Sequence, residues 1–152
     1  MRGVDSVSRA WRGWDPGTKA SGRKRRIAVD VLGLVLGVLV TPADVRDRDA
    51  ARTLLARIAA AHWMLRLVWA DAGYAGGLVE RAATRLRTAV AIVRTPPGRS
   101  TFVVLPRRWV VERTLAWTNK HRRCVCDYER LPAHHEAMVL WATTWHMLTR
   151  LT

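Results

Sequence analysis

Three carboxylates in this chain have neighbours that suit metal-dependent chemistry on a phosphate. Asp71 follows the apolar run Leu67–Ala70 and precedes a glycine-rich turn, Glu112 lies in a helical segment, and Asp5 lies on a predicted N-terminal strand. Carboxylate oxygens are the ligands that Mg²⁺ prefers. Two such ions can stabilise both the attacking and the leaving oxygen of a phosphoryl displacement. The three side chains are therefore candidate metal ligands.

The competing interpretation is structural. Acids at the start of a helix complement its dipole, and an aspartate before a turn caps it. These rules account for Asp30, which precedes the Leu32–Gly33 turn, and for the three aspartates at 44, 47 and 49, which precede a helix. The same rules leave a structural alternative open for two of the candidate ligands. Asp71 alone would cap its turn, and Glu112 would pair with Arg108 four residues earlier on a solvated helix face.

The charge of the chain indicates a polyanionic partner. Lys and Arg number 26 against 12 Asp and Glu, which gives a net charge of +14. Such a field attracts nucleic acid, although a bias of the genome towards arginine would produce part of it. The cations are concentrated in two segments. We predict that they contact DNA phosphates through Arg23, Lys24, Arg25, Arg26, Arg107, Arg108, Arg113, Lys120, Arg122 and Arg123.

Trp11 and Trp14 lie in the basic N-terminal segment. Their rings could stack on exposed bases. A role in anchoring the loop or the core explains them equally well.

The order of predicted elements is mixed, with strands and helices in alternation. Such an order predicts an α/β domain, with a mixed sheet covered by helices, over residues 1–152. Residues 1–26 are expected to form a partly irregular basic loop after a short strand. The expected elements are strands at 1–8, 67–70, 88–93 and 102–105, a hairpin over 27–40, and helices starting near 47, 78, 107 and 136. The strand 67–70 is expected to be buried on both faces, and the helix from 107 to extend to 123.

Other classes of protein are not expected. Cys124 and Cys126 are separated by one residue and have no second pair, so neither a zinc site nor a disulfide framework is predicted. The longest apolar stretch, residues 27–40, is too short to cross a bilayer, and the N-terminus has no apolar signal region. We therefore expect a protein of the reducing cytoplasm with no membrane partner.

Several motifs resemble the catalytic region of DDE transposases encoded by bacterial insertion sequences. They are VDSVS near the N-terminus, LRLVWADAGYAG around Asp71, FVVLPRRWVVERTLAW around Glu112, and HRR and DYER beyond it. The resemblance runs from near residue 5 to the C-terminus. It implies a ribonuclease-H-like fold, in which a mixed sheet is flanked by helices. It also implies that Asp5, Asp71 and Glu112 are the three catalytic ligands for Mg²⁺, with Mn²⁺ as the alternative metal.

The resemblance implies a reaction on DNA. Members of the family bind the ends of a mobile element, cut a strand by attack of water, and join the 3′-hydroxyl to target DNA. The implied partners are element ends, target DNA and a second copy of the chain in a homodimer. Arg108 matches a basic residue that assists DNA contact, and Lys120 is the candidate for a further one after Glu112.

Two alternatives remain beside the active enzyme. Family members usually carry a helical region before the first aspartate, whereas this chain begins four residues before Asp5. We therefore expect an N-terminally truncated domain, and the alternative function is a remnant that binds DNA without catalysis. A basic RNA-binding protein of the ribosome-associated kind would also fit the charge. It would leave a carboxylate at the end of a buried strand unexplained.

Overall fold

A computed structural model describes residues 7–94 and 108–149 of the chain. The predicted strands at 1–8 and 102–105 fall wholly or mostly outside these ranges. Within them the chain forms five strands and five α-helices. The strands are β1 Gly13–Asp15, β2 Ala20–Val29, β3 Val35–Pro42, β4 Leu67–Asp71 and β5 Ala89–Val93. The helices are α1 Asp47–Ala61, α2 Gly77–Leu86, α3 Arg108–Thr118, α4 Arg122–Val125 and α5 Pro132–Leu148.

Strands β2 and β3 form the predicted hairpin. They pair antiparallel, with Ile27 opposite Val38. Asp30 holds the turn, because its Oδ1 atom accepts hydrogen bonds from Leu32 N and Leu34 N at 2.8 Å each. Gly33 adopts a φ of 90°, a conformation that side chains with a Cβ rarely adopt. The hairpin is longer than expected.

The segment predicted as an irregular loop contains strand structure. β1 and the first residues of β2 pair antiparallel, with Trp14 opposite Ser21. Because the segment has no alternation of apolar residues, its pattern did not indicate strands. The two strands are joined by a short turn, in which the Asp15 carboxylate accepts hydrogen bonds from Gly17 N and Thr18 Oγ1.

Strands β4 and β5 form a parallel pair connected through α2, which is the expected strand–turn–helix–strand unit. β4 is half-buried along most of its length, and its first residue, Leu67, is exposed. The prediction that this strand is buried on both faces is therefore wrong. The reason is that all five residues of β4 line an open cleft, which leaves part of their surface exposed.

Two apolar clusters lie on opposite faces of β3. Leu39 packs with residues of α1, α2 and β5, among them Leu54 and Ile58. Val38 and Val40 pack with Val139 of α5 and with Cys124. Since successive side chains of a strand point to opposite faces, β3 separates a layer of α1 and α2 from a layer of α4 and α5.

The C-terminal helices differ from the prediction at their boundaries. The single helix expected over 107–123 ends at Thr118, and α4 follows as a separate turn. Lys120 N and His121 N bond to carbonyls three residues earlier, which tightens and ends the helix. Helix α5 begins at Pro132 rather than Glu136, because proline is well suited to a first helical position.

Among the described residues, no helix is long and apolar enough to cross a membrane.

Candidate active site

Asp71 lies at the carboxyl end of β4, as the sequence predicted. The register with β5 places it opposite Val93. A 3₁₀ helix over Ala72–Tyr74 follows, and Asp71 Oδ1 accepts a hydrogen bond from Gly73 N at 3.0 Å. The capping role that the sequence left open is therefore present. This bond engages one carboxylate oxygen, and a carboxylate held in this way has a second oxygen with which to bind a cation.

Asp71 and Glu112 line the same cleft. This cleft has a volume of about 570 Å³ and lies between β2 and β4, with walls that include residues of α1 and α3. Most of its lining residues are apolar, and Glu112 enters it from α3. The structure thus brings two of the three predicted carboxylates to one cleft. Asp5 lies outside the described residues.

The described residues do not form a complete metal centre. Within 7–94 and 108–149 no three His, Cys, Asp or Glu side chains are grouped closely enough to hold an ion. Asp30 also lines the cleft, and its Oδ1 atom holds the hairpin turn. The described carboxylates at this cleft are therefore Asp30, Asp71 and Glu112, and the last two are those that the sequence predicts as metal ligands.

The turn after Asp71 is supported by a group that the sequence analysis missed. Arg26 Nη2 lies 2.6 Å from Asp47 Oδ1, and Arg26 Nη1 donates to Thr41 Oγ1 at 2.6 Å. The Tyr74 hydroxyl interacts with the Arg26 guanidinium. Burial and the Asp47 carboxylate raise the pKa of Tyr74, so its hydroxyl stays protonated. The partners are far apart in sequence, and no spacing rule connects them.

Arg23 was predicted to bind DNA, and that prediction is wrong. Its side chain is fully buried and lies 3.3 Å from the carboxylate of Asp127, which is buried too. The guanidinium also donates to the carbonyl oxygens of Trp11, Glu129 and Arg130. A side chain without exposed surface cannot contact a phosphate. Arg23 instead ties β2 to the segment before α5.

Three more of the predicted DNA-binding arginines are engaged inside the protein. Arg26 makes the contacts given above. Arg25 donates to Cys124 O at 3.0 Å and to Asn119 Oδ1 at 2.9 Å. Arg113 donates to Leu32 O at 2.8 Å, and its guanidinium lies 4.3 Å and 4.7 Å from the ring centres of Trp109 and Trp117. Arg26 is buried, so it is not available to phosphate. Arg25 and Arg113 are half-buried, and their contact with phosphate stays a prediction.

The remaining members of that set are more accessible. Lys120, between α3 and α4, and Arg122, the first residue of α4, are exposed. Arg123 is exposed while paired with Glu129. Lys24 is half-buried, and its Nζ lies 3.2 Å from Asp15 Oδ1. Arg107 lies outside the described residues, as does the side chain of Arg108.

Comparison with known proteins shows to which family the chain belongs. The chain matches the family model described as the transposase DDE domain over residues 1–147. The chain belongs to this transposase family. A relative from Burkholderia cepacia, named as a transposase for insertion sequence element IS402, is 31% identical over 127 residues. The match covers 78% of this chain and 59% of that relative. No solved structure gives a significant match to this DDE domain.

Proposed function

We propose that this DDE domain cuts and joins DNA strands, with Asp5, Asp71 and Glu112 as the ligands of divalent metal ions. The observation that carries the proposal is the shared cleft. Asp71 comes from the end of a parallel strand and Glu112 from a helix 41 positions later, and both line it. Family membership supplies the reaction class.

A ribonuclease-H-like sheet is part of the proposal. It requires the strand that carries Asp5 to lie between β2 and β4. Two features support this. Within the described residues, the cleft-side edge of β2 from Arg23 to Val29 is unpaired, and so is the cleft-side edge of β4. Edges of this kind are normally paired or covered. A strand placed there would fill the part of the cleft between β2 and β4, join the two sheets and bring Asp5 beside Asp71.

The residues of the chain have separate roles in this proposal. The Gly73 amide fixes one oxygen of Asp71, while Arg26, paired with Asp47, interacts with the Tyr74 hydroxyl in the turn that follows. Mg²⁺ or Mn²⁺ bound by the carboxylates would supply the Lewis acidity that displacement at phosphorus needs. Lys120 and Arg122 are exposed and would hold the DNA backbone through its phosphates.

The test is a strand-nicking assay in Mg²⁺ on DNA that carries the flanking inverted repeats, followed by a strand-transfer assay. Asp71→Asn and Glu112→Gln should each abolish nicking, since each removes a ligand charge with little change of shape. Asp71→Asn should bind DNA as well as the wild type or better, because one repelling charge is lost. Asp49→Asn, at the exposed start of α1, is the matched control and should nick normally.

Two results would count against the proposal. If Asp71→Asn nicks DNA at the wild-type rate, Asp71 is not a ligand. If the wild-type chain binds DNA but does not nick it in Mg²⁺ or Mn²⁺, the domain is a DNA-binding remnant without catalysis.

A further inference from the structure

Two tryptophans near the N-terminus are held with their side chains in solvent. Trp14 of β1 is 56% exposed, and Trp11, at the end of the 3₁₀ helix Arg9–Trp11, is 42% exposed. Tryptophan carries a large apolar area that proteins usually bury. Exposure alone does not distinguish them, because Trp63, Trp141 and Trp145 are at least as exposed.

The backbone that carries these rings is fixed. Trp11 O accepts a hydrogen bond from the buried Arg23 Nε at 3.1 Å. Trp14 pairs with Ser21 in the sheet. A Cβ on Gly13 would overlap the Asp44 carboxylate, so the chain between the two tryptophans lies directly against its neighbour. The rings are therefore presented on a rigid support, which lowers the entropy cost of binding.

The surroundings of the rings are positively charged. Arg9 and Lys19 are exposed. Asp15 is the one carboxylate between Val7 and Val29, and Lys24 Nζ lies 3.2 Å from it. Thr18 Oγ1 and Gly17 N also donate to Asp15, at 2.9 Å and 3.3 Å. Asp15 is thus neutralised locally, and the exposed Asp44 lies against Gly13. Arg9 and Lys19 are the exposed cations that flank the two tryptophans in the chain.

We propose that Trp11 and Trp14, with Arg9 and Lys19, form a binding surface for unpaired nucleotides. Aromatic side chains that stack on successive bases, beside cations that hold phosphates, are the usual means of binding single strands. Paired bases in a duplex present no free face to such rings. The surface therefore binds single-stranded or locally opened DNA in preference to an intact duplex.

The position of this surface relative to the carboxylate cleft extends the proposed function, and this part of the inference rests on that function. Trp14 lies opposite Ser21, and Arg26 is five residues further along β2. At the rise of a strand this is about 17 Å. Arg26 interacts with Tyr74 in the turn after Asp71. An unpaired strand that leaves the carboxylate cleft along β2 would have a distance of this order to cross before it reaches the tryptophans.

The test measures binding of labelled oligothymidine by fluorescence anisotropy in EDTA, where metal chemistry is absent. Trp14→Ala should weaken binding about tenfold, the loss expected for one stacked base. Trp14→Phe keeps an aromatic ring and should stay within about threefold of the wild type. The affinity for a blunt duplex should be unchanged in both variants. Trp63→Ala is the matched control. Trp63 is 78% exposed, but it precedes the start of β4, whereas Asp71 lies at the end of that strand.

Three results would overturn the proposal. Trp14→Ala could bind oligothymidine like the wild type, or Trp63→Ala could lose as much affinity. Polyglutamate could also bind with the same dependence on Trp14, which would assign the surface to an acidic protein. The assay needs no metal ligand, so Asp71→Asn should bind oligothymidine normally. The oligothymidine assay can therefore fail while the nicking assay succeeds, and the reverse is also possible.

Discussion

Arg23, Asp127 and His135 form a fully buried polar group between β2 and α5. Asp127 Oδ2 lies 3.3 Å from Arg23 Nη1, and Asp127 Oδ1 lies 3.4 Å from His135 Nδ1. Removal of one partner from a buried ion pair leaves the other charge desolvated without compensation. Removal of one member of this group should therefore lower the free energy of unfolding more than removal of a partner from an exposed ion pair.

Arg23→Ala should lower the free energy of unfolding by about 3–5 kcal/mol, because Asp127 loses its counter-charge and three carbonyl oxygens lose their donor. Lys24→Ala is the matched control at the next position. Its ion pair with Asp15 is solvated, so the loss should be below about 1 kcal/mol. Urea denaturation followed by circular dichroism measures both. Equal losses in the two variants would show that burial of Arg23 does not matter.

The stability should also depend on pH through His135. Burial lowers the pKa of His135 below its ordinary value of 6.5, and Arg23 and Arg25 act in the same direction, against the charges of Asp127 and Glu129. Below pH 6.5 the unfolded state therefore binds a proton that the folded state does not. The stability from neutral His135 is complete above that pH and decreases as the pH falls towards the folded-state pKa.

This dependence can be isolated with two histidine variants. His135→Gln should flatten the decrease in unfolding free energy below pH 6.5, for which one proton sets a limit of about 1.4 kcal/mol per pH unit. His134→Gln changes an exposed neighbour and should keep the wild-type slope. Chemical denaturation at several pH values gives the slopes. An unchanged slope in His135→Gln would contradict the assignment.

At the level of elements, α3 is fastened to the tip of the β2–β3 hairpin. Thr114 Oγ1 donates to Gly33 O at 3.0 Å, and Arg113 Nη2 donates to Leu32 O at 2.8 Å. Glu112 immediately precedes these two residues. The hairpin therefore fixes the part of α3 that presents Glu112 to the cleft.

Gly33→Ala should weaken this attachment. The new Cβ would lie 2.9 Å from Thr114 Oγ1, and the φ of 90° is strained for alanine. We expect a loss of about 1–3 kcal/mol, seen as a melting temperature lower by several degrees. Gly77→Ala is the control, because nothing lies within 4 Å of its added Cβ. A melting temperature unchanged by Gly33→Ala would show that the attachment is not tight.

The elements that could be predicted are those with a regular local pattern. The helices over 47–61 and 77–86, the β2–β3 hairpin and the strand ending at Asp71 follow from periodicity and turn residues. The end of α3 has no breaker residue to mark it, and the strand β1 has no alternation of apolar residues, so the sequence pattern does not reveal them. The sequence was sufficient to select Asp71 and Glu112 as a pair. It was not sufficient to predict whether each arginine side chain points into the protein or into solvent. Charge is visible in the sequence, whereas Arg23 is buried by partners about 100 residues away.

At the scale of the whole molecule, the net charge of +14 should govern duplex binding. The logarithm of affinity should fall linearly with the logarithm of salt concentration, with a slope of about −0.9 per phosphate neutralised. The double variant Lys120→Ala, Arg122→Ala should make this slope shallower by about two units. Arg52→Ala, on α1 in the opposite helical layer, is the control and should leave it unchanged. A slope unaffected by the double variant would place the DNA elsewhere.

The bonds from Arg23 to Glu129 O and Arg130 O connect residues 106 and 107 positions apart. During synthesis, β2 leaves the ribosome long before these acceptors exist. Until they emerge, the Arg23 guanidinium cannot be buried together with its hydrogen-bond acceptors. Contacts between residues so far apart in sequence also form slowly. The nascent domain must therefore stay open until nearly its whole length has been translated. A ribosome that stalls before residue 127 would release a chain with an arginine it cannot bury, which is a substrate for chaperones and proteases.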